Sequence, residues 1–326
     1  MASLQPDAYS DPADSHNHSE SIAFEDSLYS SGSESSTASL SSSVLDYVYE
    51  NGRRYHAFRA GQYALPNDET EQDRLDMMHH IYSMMLRGRL HLAPIPKDAS
   101  RILDIGTGTG IWAIDMGDSF PAAQVIGVDL SPIQPSWVPP NVQFVVDDVE
   151  CDWMFSDDSF EFIHIRSMLG SIKDWPRLLS QCYRCLKPGG FIEIVEAAAG
   201  KLQADDDTYT PQSAIWRYYE LVNQAAAKAG RSLQLMNPSI RDLVTTANFG
   251  SYKETEMKLP LGTWPSDRKL KEMGAWFALS TQSGFSAYGL ALLTRVLNMP
   301  SEEVYALFGQ CNVEVNSKKV HAYGNM

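Results

Sequence analysis

Residues 101–110 read Arg-Ile-Leu-Asp-Ile-Gly-Thr-Gly-Thr-Gly, and nineteen residues past the last glycine Asp129 closes the run Val-Ile-Gly-Val-Asp. An apolar run over 102–105 that ends in glycines reads as a buried strand turning sharply into a helix. Gly106, Gly108 and Gly110 leave room for a ligand to lie against bare backbone. A second apolar run over 124–128 delivers Asp129 beside that turn, where a carboxylate can accept hydrogen bonds from a ribose diol. Dinucleotide sites need Gly-x-Gly-x-x-Gly and set a pyrophosphate on the helix N-terminus. Here the spacing is Gly-x-Gly-x-Gly, Thr107 holds the second place, and Asp104 precedes the turn. An anion so placed disfavours pyrophosphate and favours a ligand carrying positive charge. For a glycine triplet taken alone, a tight turn with no ligand is the alternative.

The elements that must position these residues follow in order. A third apolar run over 141–146 ends in Asp147-Asp148-Val149, and a fourth over 160–165 leads into Arg166-Ser167-Met168. A helix is expected over 175–186, then the turn Lys187-Pro188-Gly189-Gly190 and a fifth strand over 191–195. Strands alternating with helices specify a parallel sheet covered on both faces. The acid-first glycine turn, the two strand-end acids and the Lys-Pro-Gly-Gly turn resemble the class I methyltransferases. That resemblance implies an α/β doubly wound, Rossmann-like sheet with helical cap insertions. It implies S-adenosylmethionine, whose sulfonium and ammonium are both cationic, at Asp104, Gly106, Thr107, Gly108, Gly110, Asp129 and Leu130. It further places the adenine amino group at Asp148 and a ring nitrogen at the backbone N–H of Val149. Arg166, at the mouth of the sheet, is expected to contact the cofactor or a carboxylate.

A narrower resemblance rests on Tyr63-x-x-Pro-x-Asp-Glu-x-Glu-x-x-Arg74-Leu75, Gly110-Ile-Trp-Ala-Ile114, Gly127-Val-Asp-Leu-Ser-Pro-Ile-Gln-Pro135 and His321-Ala-Tyr323. Over about residues 49–323 the chain resembles the LaeA-like methyltransferases of filamentous fungi. The family includes a nuclear regulator of secondary metabolism that associates with velvet proteins, and many paralogues of unassigned substrate. Thr107 stands where the regulator carries cysteine. The Asp-Asp-Val-Glu after strand three and the Lys-Pro-Gly-Gly turn are more similar to the paralogues. The resemblance implies an intracellular protein, cytoplasmic or nuclear, with Tyr63, Glu71 and Arg74 as lid residues over the cofactor.

Composition agrees with one catalytic domain and a tail. Residues 1–43 hold fifteen serines, seven acids and no Lys or Arg. Such a segment buries too little apolar surface to offset its ordering entropy and is expected to be disordered. Residues 44–100 are expected to form a helical lid segment, with a helix over 69–90. Residues 101–326 form the methyltransferase domain, its substrate cap spanning about 200–250 and 264–317. In that region helices are expected over 213–229, 240–247, 269–280, 286–297 and 301–316, with Ser301 as an N-cap. A sixth strand is expected over 252–259, and an incomplete seventh at His321-Ala-Tyr-Gly-Asn-Met326.

The formal net charge is −15, with no basic stripe of the kind phosphate backbones require, which argues against nucleic acid as direct substrate. No apolar run is long enough to span a membrane. Cys182-x-x-Cys185 lacks the second pair of a zinc site, and Asp205-Asp206-Asp207 lacks the spacing and glycine of a calcium loop. His16 and His18 fall in the serine-rich tail and carry no metal reading. The region after strand four lacks Asn/Asp-Pro-Pro-Tyr, which argues against an amide or exocyclic amine acceptor. His164 alternates with Ile163 and Ile165 within the strand and reads as structural. No residue is assigned as catalytic. Three functions remain open: methylation of a small molecule, a velvet-associated nuclear regulator that methylates a protein or itself, and a degenerate binding module without turnover, against which the intact Asp104, glycines and Asp129 argue.

Overall fold

The computed structural model describes residues 47–56, 64–196, 200–234 and 238–326. The serine-rich tail and Tyr63 lie outside them. The chain opens with a hairpin, β1 (Tyr47–Glu50) and β2 (Arg53–His56), followed by α1 (Glu69–Met85). Asp68 caps α1 by accepting from the Glu71 N–H, and it also pairs with Arg53 at 2.6 Å. One carboxylate thus fixes both the start of the helix and the hairpin beside it. Arg53 reaches on to Ser286 Oγ at 2.6 Å, which ties the N-terminal segment to the far end of the chain.

The sheet is parallel, in the order β5-β4-β3-β6-β7. Its strands are β3 (Arg101–Ile105), β4 (Gln124–Asp129), β5 (Val142–Val146), β6 (Phe160–Arg166) and β7 (Leu186–Val195). α2 (Ile111–Ser119) follows β3 and α3 (Trp175–Cys185) follows β6. Trp112, Met116 and Phe162 fill one face, and Trp175, Leu178, Leu179 and Cys182 the other. Coverage on both faces explains why β3 reads over residues 102–105 as an apolar run interrupted only by Asp104. The expected Lys-Pro-Gly-Gly turn lies inside β7 as a bulge. Phe160 faces Leu186 while Phe162 faces Phe191, so Lys187–Gly190 are extra residues. Gly189 has the φ of +82° that this demands. The order reverses between β3 and β6, and the crevice at such a reversal is where open α/β sheets bind ligands.

The cap follows as α4 (Ala214–Lys228), α5 (Ile240–Thr246), α6 (Arg268–Ala291) and α7 (Ser301–Asn316). Three expectations need correction. The helices expected over 269–280 and 286–297 are one, α6, running into a π-helical turn at Leu292–Val296. Ser280, Thr281 and Gly284 are small and buried, and they seat this face of α6 close to α1. Packing there outweighs the weak helix propensity of Thr-Gln-Ser-Gly. The sixth strand, β8, is only Lys258–Pro260, because its partner β9 (Tyr323–Asn325) is equally short and residues 252–256 are exposed without a ladder. Ser301 begins α7 without a capping hydrogen bond, and Pro300 holds the cap position.

The short final strand is therefore present, antiparallel to β8 and bridged on its other side to Gln203. The three acids at 205–207 serve this end of the chain. Asp205 binds Lys258 and the Tyr323 hydroxyl, and Asp206 binds Thr208 and His321. Cys182 and Cys185 are buried free thiols, pushed up by burial. No group of three or more His, Cys, Asp or Glu among the described residues is arranged to hold a metal. No helix among them is long and apolar enough to cross a membrane.

Candidate functional site

The loop after β3 is held from above and below. Above, the N–H groups of Gly106 and Thr107 both donate to the Val128 carbonyl, at 2.9 and 3.0 Å. The Asp129 carboxylate accepts from the Gly108 N–H at 2.8 Å and the Ser131 N–H at 2.9 Å. Below, Asp104 accepts from Thr107 Oγ1 at 2.6 Å and from His164 Nδ1 at 2.8 Å. Burial holds His164 below its ordinary range, so the ring is neutral and donates its Nδ1–H. Its plane stacks on Trp112 at 3.7 Å between centroids and 5° between planes. Asp104 is 3% exposed and His164 1%. Asp104 is therefore spent on bracing the loop from within.

Glycine is required here for two reasons. Gly106 sits at φ +68°, and a Cβ on it would lie 2.1 Å from Met168 Sδ. Gly110 sits at φ +79°, with Phe144 Cζ 2.3 Å from the same imaginary atom. Backbone twist and neighbouring side chains fix both positions before any ligand is considered.

Gly106, Gly108, Asp129, Leu130, Asp148, Val149 and Arg166 line one cavity, which encloses about 1020 Å³ including its mouth. Asp104, Thr107 and Gly110 do not line it and support the loop from behind. Glu71 and Arg74 reach the lining from α1. Both are buried, and Arg74 donates to Glu71 at 2.7 and 2.8 Å. Five carboxylates (Glu71, Asp129, Asp147, Asp148 and Glu150) face three guanidiniums (Arg74, Arg166 and Arg231) in the lining. The excess negative charge suits a cationic ligand. Burial raises Asp129 to about 6, with Asp104 adding to the push and the Ser131 and Gly108 N–H groups opposing it. A diol donating to that carboxylate would favour its charged form.

Arg166 ends a relay. It donates to His79 Nδ1 at 3.2 Å, and His79 Nε2 donates to Asp115 at 2.9 Å. Its guanidinium also lies 4.8 Å from the centre of the Tyr82 ring. Desolvation lowers its pKa, the expected cost of a cation set into this wall.

Several lining residues were not legible in advance. Arg231 pairs with Glu150 at 2.8 Å, and the Asn67 amide donates to Ser131 Oγ at 3.3 Å. Glu196 follows the last residue of β7, the counterpart of Asp129 after β4. Strand-end position alone was a usable signal for it.

A methyltransferase-domain family matches residues 77–250. The chain is 47% identical over 290 residues to "Methyltransferase pytC" of Aspergillus terreus, covering 89% of each chain. It is 40% identical over 283 residues to "Secondary metabolism regulator LAE1" of Cochliobolus heterostrophus, covering 85% of this chain and 92% of that one. It is 36% identical over 277 residues to "Protein-methionine methyltransferase laeA" of Emericella nidulans, covering 84% and 73%. With the parallel sheet, the braced glycine loop and its strand-end acids in place, the chain belongs to the LaeA-like family of S-adenosylmethionine-dependent methyltransferases.

Proposed function

We propose that the cavity at the carboxyl ends of β3 to β6 holds S-adenosylmethionine and that the methyl acceptor is a small molecule of fungal secondary metabolism. The observation that carries this reading is the convergence of Gly108, Asp129 and Asp148, from three different strand ends, on one acid-rich cavity. Asp129 would hold the ribose diol, Asp148 the adenine amino group and the Val149 N–H a ring nitrogen, with Leu130 along the base. Gly106 and Gly108 would face the aminoacyl end, with Arg166 at its carboxylate. When bound, the cofactor supplies a methyl group on a positively charged sulfur. The protein's part is to align the acceptor and exclude water, which by itself lowers such a barrier substantially. Glu71 and Arg74 close the cavity from the α1 side.

Calorimetric titration with S-adenosylmethionine tests the reading on the parent chain, Asp129→Ala and Gly108→Val. Micromolar binding that is lost in both variants supports it. A folded parent chain that binds nothing overturns it.

A second reading is methyl transfer to a protein, the chain itself included, in a regulator with velvet-type partners in the nucleus. It is favoured by Met168, whose thioether packs on Gly106 and lines the cavity. A thioether has no proton to lose and needs no base. Incubation with methyl-labelled cofactor followed by peptide mass spectrometry separates the two readings. Label on the Met168 peptide supports the second, and an unlabelled chain that turns over a small molecule supports the first.

A further inference from the structure

A second cavity, about 910 Å³ including its mouth, lies behind the first. Arg74, Leu75, Ser167 and Tyr288 line both, so the two spaces share a wall. Tyr218, Tyr219, Phe277, Phe285 and Tyr288 supply its aromatic side chains, from the cap helices α4 and α6. This size and aromatic lining match a site for a compact ring-containing ligand. Its charged lining is sparse. Arg74 is spent on Glu71, and the other ionisable side chain is Glu196. Glu196 Oε1 accepts from the Met168 N–H at 2.7 Å and Oε2 from the Leu169 N–H at 3.3 Å. No cation pairs with it among the described residues. The two backbone donors fix the carboxylate, and each oxygen keeps a lone pair.

Resting on the methyl-transfer reading above, we propose that this second cavity is the acceptor site, that it takes an uncharged aromatic or enolic hydroxyl compound, and that Glu196 receives the hydroxyl proton. The chemistry balances. The proton moves to a Glu196 oxygen, and the acceptor oxygen's electron pair forms the new bond to the methyl carbon. The carbon–sulfur pair departs with sulfur as S-adenosylhomocysteine. A carboxylic acid or phosphate acceptor would enter a cavity whose lining offers no unpaired cation among the described residues. An ammonium carries three N–H donors and no lone pair, and this lining offers it one carboxylate already engaged by two N–H groups. A hydroxyl has one proton for one acceptor. Burial raises Glu196 to about 8, against the pull of the two backbone donors. That brings a carboxylate close to the range of a phenolic proton, where transfer is efficient. The titratable groups that face it are Tyr82 and Tyr288, both raised by burial, and Arg74 in the same lining.

The test uses the full chain saturated with S-adenosylhomocysteine and four probes: 2-naphthol, 2-methoxynaphthalene, 2-naphthoate and 2-(aminomethyl)naphthalene. Excited naphthol gives up its proton to any base in contact, water included, so naphtholate emission from the bound probe is assigned to Glu196 by comparing the parent chain with Glu196→Gln. At about pH 8.5 the naphthol is expected to bind roughly tenfold or more tightly than the other three and to emit as naphtholate. Glu196→Gln, which keeps an acceptor oxygen, should retain naphthol binding within about threefold and lose the naphtholate band. Equal emission from Glu196→Gln, tighter binding of the naphthoate or the ammonium probe, or no naphthol binding by a chain that binds S-adenosylhomocysteine overturns the proposal. Naphthol behaviour as expected in a chain that fails to bind S-adenosylhomocysteine supports the acid–hydroxyl pairing and overturns the cofactor reading instead.

Discussion

Asp104→Ala separates two roles that the sequence motif merges. If Asp104 acts as an anion toward a cationic ligand, its removal weakens binding and leaves the fold alone. The structure makes the opposite demand. Asp104 is the acceptor for two buried donors, Thr107 Oγ1 at 2.6 Å and His164 Nδ1 at 2.8 Å. His164 is neutral, locked against Trp112, and has no second acceptor within reach of Nδ1 among the described residues. Each stranded donor costs about 1–3 kcal/mol, so the substitution should destabilise the chain by about 4 kcal/mol. Total stabilities run to about 5–15 kcal/mol, which makes this a large fraction. The midpoint of thermal unfolding should fall by about 10 °C. Urea unfolding monitored by tryptophan fluorescence measures it, and Trp112 lies directly against the affected ring. Asp104→Asn should cost less, because its amide oxygen still accepts from one of the two donors. An unchanged midpoint for Asp104→Ala together with lost cofactor binding would refute the bracing argument and restore the direct electrostatic role.

Gly106→Ala should destabilise by about 1–3 kcal/mol, and Met168→Ala in the same chain should recover only the steric part, because the cost of φ +68° stays; paired denaturation curves measure both. Arg74→Met leaves Glu71 buried without its partner and should cost about 3–5 kcal/mol, while Arg74→Met with Glu71→Leu should recover most of that in a urea titration yet still fail to close the cofactor cavity. Cofactor affinity should fall in acid through Asp129. Its folded-state pKa is raised to about 6, a bound diol needs the carboxylate, and protons therefore compete below that value. Between about pH 7 and 5 the dissociation constant should rise roughly tenfold by calorimetry, and Asp129→Asn should flatten that dependence.

Much of the fold is legible because its signals are local. Four apolar runs of four to seven residues, three of them ending at a glycine or an acid and the fourth at Arg166, read as strands of a parallel sheet when helices alternate with them. The cap is less legible because its signals are tertiary. Nothing local shows that Thr281 to Ser286 continue one helix. The reason lies across the interface, where the buried small residues Ser280, Thr281 and Gly284 belong to the helix that packs on α1. The sixth strand failed in the opposite sense. Thr255, Met257 and Leu259 alternate with charged residues as in a strand, but a strand needs a partner, and β9 offers three residues to pair with.

The site divides along the same line. Residues proposed to meet the cofactor through backbone or at a strand end (Gly108, Asp129, Asp148) follow from spacing, because spacing fixes where a strand ends. Asp104 and Thr107 belong to the same motif for a different reason, which only their partners disclose. His164, sixty residues away in sequence, is the group that uses Asp104. A motif compresses contact residues and bracing residues into one pattern, since loss of either removes the site. Glu196 shows the converse. It belongs to no pattern in the glycine region, yet it stands where the parallel sheet delivers a side chain to the ligand crevice, and its role depends on aromatic residues from α4 and α6 arriving around it. Cofactor geometry is thus written in the strand order, and acceptor geometry in the packing of the cap. A chain of this family can therefore change its acceptor by repacking α4 and α6 while Asp104, His164 and the glycine loop stay fixed.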